Sequence, residues 1–316
     1  MNESLDWPGY LADFHQAKPG ITEEVLTRCL DTEGRNPYEW LVEGIGSRSR
    51  VLDLACGSAP TRPLLGQAWI GIDQAPAELH RARITHHAEV VRADATRLPI
   101  RSGSVDVVVC SMALMLIDDL AAALSEVRRV LTPGGELRAT VPTVRLLKVR
   151  DRLEYLRLAV RSRAMPRFPA TPLDRGLDTI RENGLPINSD ETRRFTYLLE
   201  DPEAIDLFVD SWYTSRSPKA RESALPARSP RGRRRTIGVG LRRIIARRVP
   251  TVDEASPTSD SEQNIESSVS MQWTVGNSCE HRVEGSERRT IELSHRRSTA
   301  RRARLDARGG RGRSPH

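Results

Sequence analysis

Three aspartates recur near the middle of the first half of the chain, each closing a short apolar run. Asp53 lies in Val51-Leu52-Asp53-Leu54, Asp73 follows Trp69–Ile72, and Asp94 follows Glu89–Ala93. The first run opens into a turn of small residues, Ala55-Cys56-Gly57-Ser58-Ala59, where Gly57 gives the backbone freedom and lets a ligand approach closely. Such a turn, followed by helix N–H groups, could receive a polar or anionic group, and a carboxylate beside it can accept hydrogen bonds from paired hydroxyls. Asp73 stands twenty residues after Asp53, the place from which an acidic side chain grips a ribose diol in nucleotide-binding α/β folds. Asp94, followed by the small Ala95, could meet an adenine amino group. Phosphate chemistry is disfavoured. The run Cys56-Gly57-Ser58-Ala59-Pro60-Thr61 is not G-x-G-x-x-G, and no Walker lysine follows it.

Elements of alternating type must hold these residues. Strands are expected at Val51–Leu54, Ile70–Ile72, Glu89–Arg92, Val105–Cys110 and Leu137–Val141. Between the last two, Leu120, Leu124, Val127, Val130 and Leu131 have helical spacing, and Thr132-Pro133-Gly134-Gly135 stops that helix. This cadence predicts an α/β fold: a doubly wound, mostly parallel, seven-stranded sheet with helices on both faces. Further on, helices are expected at Val144–Val160, Leu173–Glu182 and Glu203–Trp212. Strands are expected at Arg193–Leu199 and Ile237–Ala246, the latter interrupted by Arg242-Arg243. Thr22-Glu23-Glu24 reads as a helix start within residues 1–45, a region expected to form an N-terminal helical lid. The main domain is placed at 46–249, with a mobile basic loop at 215–235 and a disordered tail at 250–316.

The net charge is +7, but it is unevenly distributed. Residues 216–249 hold twelve basic side chains and one acid, the tail is nearly balanced, and residues 1–215 are left mildly acidic. The basic character therefore belongs to one segment, not to a whole nucleic-acid-binding surface. Arg231, Arg233, Arg234 and Arg235 are the candidate nucleic-acid contacts, although no aromatic residues interleave with them to stack bases. Cys29, Cys56, Cys110 and Cys279 have no paired spacing, so neither a disulfide framework nor a metal site is expected. No apolar stretch is long enough to cross a bilayer, and no basic-then-apolar leader begins the chain. A cytoplasmic protein without membrane contact is the expectation; no oligomeric state is specified.

Four stretches, Val51-Leu-Asp-Leu-Ala-Cys-Gly57, Gly71-Ile-Asp73, Ala93-Asp94-Ala95 with Leu98-Pro99, and Val105-Asp-Val-Val-Val109 leading to Leu131-Thr-Pro-Gly-Gly135, resemble the class I S-adenosylmethionine-dependent methyltransferases of small-molecule type. The resemblance is firm over residues 10–142. It loosely extends to 249, where the pattern is similar to actinobacterial members with a final hairpin. It implies S-adenosylmethionine as cofactor. Asp53, Ala55 and Gly57 would lie at its methionine part, Asp73 at its ribose, Asp94 and Ala95 at its adenine, and Ser111 and Met112 would border cofactor and substrate. Ala59 stands where a second glycine is common, and Pro60 stiffens the turn.

The resemblance also implies a lid, for which Tyr10, Phe14, His15 and Pro19-Gly20-Ile21-Thr22 are the candidates. By the resemblance His15 is the best-placed candidate general base, the alternative being a non-catalytic residue that packs against the cofactor, while His80, His86 and His87 read as surface residues. The activity implied is methyl transfer to a small molecule. The alternatives are an RNA methyltransferase and a non-catalytic binding module of the same fold.

Overall fold

The computed structural model describes residues 7–163, 173–213 and 235–250. Its seven strands are β1 (Val51–Leu54), β2 (Trp69–Asp73), β3 (Val90–Arg92), β4 (Val105–Ser111), β5 (Leu131–Pro142), β6 (Ile187–Leu199) and β7 (Arg235–Arg247). They form one sheet in the order β3-β2-β1-β4-β5-β7-β6. The first five strands are parallel, and β7 runs antiparallel between β5 and β6. This is the doubly wound, mostly parallel architecture expected. The strand order reverses at β1/β4, where crossovers on opposite sides leave a crevice at the carboxyl edge.

Every residue of β1 is buried, as a strand covered on both faces requires. Leu52 and Leu54 pack toward a core shared with helices α5 (Leu120–Val130) and α7 (Leu173–Glu182). Val51 faces the other way, toward α3 (Pro37–Val42) and α4 (Pro76–His86). Asp53 has the parity of Val51, so its carboxylate belongs to the α3 side. A third cluster joins β6 and β7 to α2 (Ile21–Thr27), α6 (Val149–Ser162) and α8 (Pro202–Asp210). Helix α1 (Trp7–Ala17) lies outside these clusters, and its Phe14 packs with Ile21 and Tyr213.

Several local expectations need correction. Thr132–Gly135 does end α5, but the chain enters β5 directly at Leu131. The amide of Gly134 and the carbonyl of Gly135 are paired with Arg248 beyond β7, which ties this stretch to the sheet edge. Helix α6 starts at Val149 rather than Val144, because the Thr143 amide donates to the Gly240 carbonyl and holds the preceding turn against β7. Residues 1–45 are not a single lid, since Tyr38, Trp40 and Leu41 of α3 are core residues.

Arg242 and Arg243 do not interrupt β7. Both are buried, Arg242 on Asp190 and Arg243 on Glu43 and Glu191, with the Arg243 guanidinium 4.7 Å from the Trp40 ring centre. Arg235 is likewise a buried residue of β7, its guanidinium 3.0 Å from Glu154, and offers no surface for phosphate. The candidates Arg231, Arg233 and Arg234 lie outside the described residues, as do most of the 215–235 loop and the tail beyond Pro250.

Gly71 shows how tightly the site edge of β2 is built. A Cβ there would fall 2.6 Å from the Trp69 ring, 2.7 Å from Cys56 Sγ and 3.0 Å from Val90 Cγ1. Gly71→Ala is expected to destabilise the fold by about 2 kcal/mol through overpacking. Thermal unfolding checks this, and an unchanged Tm would show that the β2 edge can relax.

Candidate functional site

A cavity of about 910 Å³ opens at the carboxyl ends of β1, β2 and β4, closed from above by α1 and the turn into α2. Ligand pockets of small-molecule proteins have this size and this position in α/β sheets. Its wall brings together Asp53, Ala55, Gly57, Asp73, Asp94, Ala95 and Ser111, so all the strand-end candidates share one space, and His15 joins them from α1.

The turn after β1 is unusual in its backbone. Ala55, Gly57 and Ala59 all have positive φ (52°, 53° and 65°). Gly57 adopts this readily. The two alanines each carry strain of about 1–2 kcal/mol, and Ala59 adopts the left-handed conformation that a glycine would take more readily. Met112, just beyond β4, is a fourth outlier at φ 59°. Strained residues concentrate where a surrounding structure over-determines them, commonly around a ligand.

Asp73 organises the turn. Its two carboxylate oxygens each accept one backbone N–H at 2.8 Å, Oδ2 from Gly57 and Oδ1 from Ala75. Burial raises its pKa, while those two hydrogen bonds work against the rise. Asp53 is more deeply buried, and the Thr61 hydroxyl donates to it. Burial pushes its pKa up to about 7. The Thr61 hydrogen bond opposes this, and the nearby Asp73 charge adds to it. Neither carboxylate has a lysine or arginine partner among the described residues. Asp94 is exposed at the rim, with Oδ1 taking the amide and hydroxyl of Thr96 at 2.8 and 2.9 Å. Ser111 Oγ lies 3.2 Å from Thr140 Oγ1, tying the end of β4 to β5.

Glu78, near the start of α4, carries a role the sequence did not disclose. It is 3% exposed, accepts the Gly20 amide on Oε2 at 2.9 Å, and holds His15 Nδ1 at 2.9 Å from Oε1. One buried carboxylate thus fastens both α1 and the turn before α2 to the site. His86, expected at the surface, is half-buried and pairs with Glu23 at 2.8 Å, and Arg81 reaches Glu24 at 2.7 Å. Tyr38 was also missed. Its ring is core, 3% exposed, yet it lines the cavity and its hydroxyl makes no hydrogen bond among the described residues. In the sequence it resembles any aromatic residue of an amphipathic helix.

The thiols of Cys29, Cys56 and Cys110 are all buried, and burial drives their pKa values upward, so none supplies a thiolate nucleophile.

The fold is Rossmann-like, with a crevice at the carboxyl edge of its sheet, and the comparisons with known proteins bear on its class. Residues 52–139 match the family described as a methyltransferase domain. These residues run from β1 into β5 and include all five parallel strands of the seven-stranded sheet. The demethylmenaquinone methyltransferase of Mycolicibacterium paratuberculosis is 38% identical over 119 residues, covering 37% of this chain and 51% of that relative. The protein of the same name from Beutenbergia cavernae is 32% identical over 125 residues, covering 37% and 50%. The chain therefore spans about half the length of the curated relatives it matches. Among solved structures, the YcgJ protein of Bacillus subtilis aligns with 68% of this chain and 98% of its own, at 16% identity and a TM-score of 0.45.

Proposed function

We propose that the chain binds S-adenosylmethionine in this cavity and methylates a small, largely apolar acceptor. One observation carries the reading: a single crevice joins the unpaired strand-end carboxylates to an apolar wall of Leu11, Met112, Leu116, Ile117 and Tyr213. The residues present fit the cofactor. Asp53 is buried and Asp73 half-buried, neither with a lysine or arginine partner among the described residues, and Tyr38 lines the same cavity. A cationic ligand rich in hydroxyl donors satisfies both carboxylates. Asp73 retains lone pairs for a ribose diol, and Asp94 Oδ2 remains for an amino group at the rim. Asp53 and the backbone of Ala55 and Gly57 would hold the methionine end.

S-Adenosylmethionine supplies a methyl group already activated on a sulfonium. The chain's own task is alignment and exclusion of water. The apolar wall orients the acceptor, and α1 covers the crevice. His15 is the candidate proton acceptor. With Nδ1 donating to Glu78, Nε2 is left to take a proton from an acceptor that must lose one. The side chains of Glu23, Asp53, Asp73, Glu78, Asp118 and Asp119 make the wall acidic, which disfavours phosphate-bearing acceptors such as RNA. The relatives' name, demethylmenaquinone methyltransferase, supports a quinone-type acceptor.

Incubation with methyl-labelled S-adenosylmethionine and a bacterial extract, followed by separation into solvent-soluble, aqueous and nucleic-acid fractions, tests this. Label is expected in the solvent-soluble fraction. Label confined to RNA would overturn the acceptor class.

A further inference from the structure

Helix α6 is apolar on two opposite faces. Its inner face buries Leu158 and Ala159 in the cluster that also holds Tyr38, and Met112 of the cavity wall packs against the same cluster. Its outer face exposes Val149 (75%), Leu153 (48%), Leu156 (57%) and Val160 (68%). At 3.6 residues per turn these four fall within about 60° of one another, a continuous stripe roughly three turns long. The turn leading into the helix extends the patch with Val144 (68%) and Leu146 (39%).

The charges around the stripe are all of one sign. The remaining exposed residues between Val144 and Arg163 are Arg145, Lys148, Arg150, Arg152, Arg157, Arg161 and Arg163, with no acid among them. Arg152 and Arg163 flank one side of the stripe; Arg150, Arg157 and Arg161 flank the other. The two acids of α6 point inward: Asp151 binds Arg194 at 2.7 Å and the Gly238 amide at 2.9 Å, and Glu154 binds Arg235 at 3.0 Å. Arg150, Arg152, Arg161 and Arg163 form no ion pair among the described residues. A bare apolar stripe that gained nothing from its exposure would ordinarily be polar.

We infer that α6 lies on a membrane surface rich in anionic lipids, with its apolar stripe among the acyl chains and its arginines at the headgroups. Charge chooses this occupant. A second copy of the same face would set arginines against arginines, whereas phosphate headgroups complement both flanks. Shape agrees, because the stripe is a convex ridge that immerses in a fluid layer without needing a matching groove. Long arginine stems can also snorkel beside the buried aliphatic side chains. The contact is in-plane, for no helix among the described residues is long and apolar enough to cross a membrane. Such surface contact is separate from spanning, which the expectation of no membrane contact concerned. The placement suits the proposed function without depending on it. Since β4 and β5 are parallel, with Ser111 opposite Thr140, the chain leaves β5 for α6 at the same sheet edge as the cavity.

The test is flotation of the full chain with vesicles of phosphatidylcholine alone or with about one-third phosphatidylglycerol. The wild type is expected to float with the anionic vesicles and not with the neutral ones. Leu153→Gln with Leu156→Gln, which leaves every charge in place, should reduce partitioning by roughly ten-fold or more. Arg150→Gln and Arg161→Gln should each reduce it about five-fold. Melting curves and S-adenosylmethionine binding, measured on the same samples, should be unchanged in all variants, since these side chains are exposed and outside the cavity. Failure of the wild type to float would overturn the inference. So would equal flotation of the double leucine variant, which would assign the attraction to other basic stretches. Wild-type protein that ignores vesicles but is retained on polyglutamate in a Leu153-dependent way would assign the face to an acidic protein instead. Flotation without S-adenosylmethionine binding would leave the lipid contact standing and remove the proposed activity.

Discussion

Asp73→Ala is expected to weaken S-adenosylmethionine binding at least 30-fold. The carboxylate holds the Gly57 and Ala75 amides at 2.8 Å each, and by the present reading it also receives the ribose hydroxyls. Alanine removes every one of these acceptors at once. Hydrogen bonds to a charged group contribute about 1.5–3 kcal/mol each, so loss of even part of the set exceeds 2 kcal/mol. Two backbone amides would also lose their partners, and the turn at Gly57 would loosen. Asp73→Asn keeps an acceptor oxygen for one amide and should bind with intermediate affinity. Calorimetric titration of the wild type and both variants measures this. Equal affinities would place the ligand away from the end of β2.

The second large effect concerns Asp53 and pH. Its pKa in the folded chain is raised from 3.8 to about 7, chiefly by burial. The folded state therefore holds this proton more tightly than the unfolded state. The group's contribution to stability is complete below about pH 4, declines as pH rises, and is lost above about pH 7. Asp53→Asn mimics the protonated side chain. In the unliganded protein it should be more stable than the wild type at pH 8, by on the order of 2–4 kcal/mol, with the advantage fading toward pH 4. Ligand binding should show the opposite sign. A cationic ligand favours the ionised carboxylate, so wild-type affinity should rise with pH up to about 7, and Asp53→Asn should bind weakly with little pH dependence. Chemical denaturation and titration across pH 5 to 8 test both halves. A variant less stable than the wild type at pH 8 would show that Asp53 gains more from Thr61 and its surroundings than burial costs it.

The two aspartates were legible in the sequence because their signal is local. A buried parallel strand is a short apolar run, and its carboxyl end shows where that run gives way to an acid and a small-residue turn. The same locality made the strand cadence and the stop after Val130 readable. What stayed hidden depends on pairs far apart in the chain. Glu78 meets Gly20 and His15 across 58 and 63 residues. Arg243 meets the Trp40 carbonyl across 203. In the sequence Glu78 is an ordinary acid in a helix's first turn, and Arg242-Arg243 is a flaw in an apolar strand. Only the fold shows the first as the fastening of α1 and the second as buried cations with their own acids. The start of α6 was misplaced for the same reason, since contact with Gly240, not local preference, delays it to Val149.

These features give the site its division of labour. Rigid strand ends present the carboxylates, a strained turn lines the crevice beside them, and α1 is held over both by one buried glutamate. His15 is positioned by the same glutamate, so closure of the crevice and orientation of the candidate base are coupled. Apolar side chains line the remaining space, and α6, which follows β5 from the same sheet edge, carries a cationic, apolar outer face.

The measurement that bears most directly on this account is calorimetric titration of S-adenosylmethionine into the full chain at pH 7.5 to 8. Saturable one-to-one binding in the micromolar range, competed by S-adenosylhomocysteine, is the expected result. Absence of saturable binding to protein shown to be folded would contradict the account, leaving a methyltransferase fold whose crevice serves some other ligand.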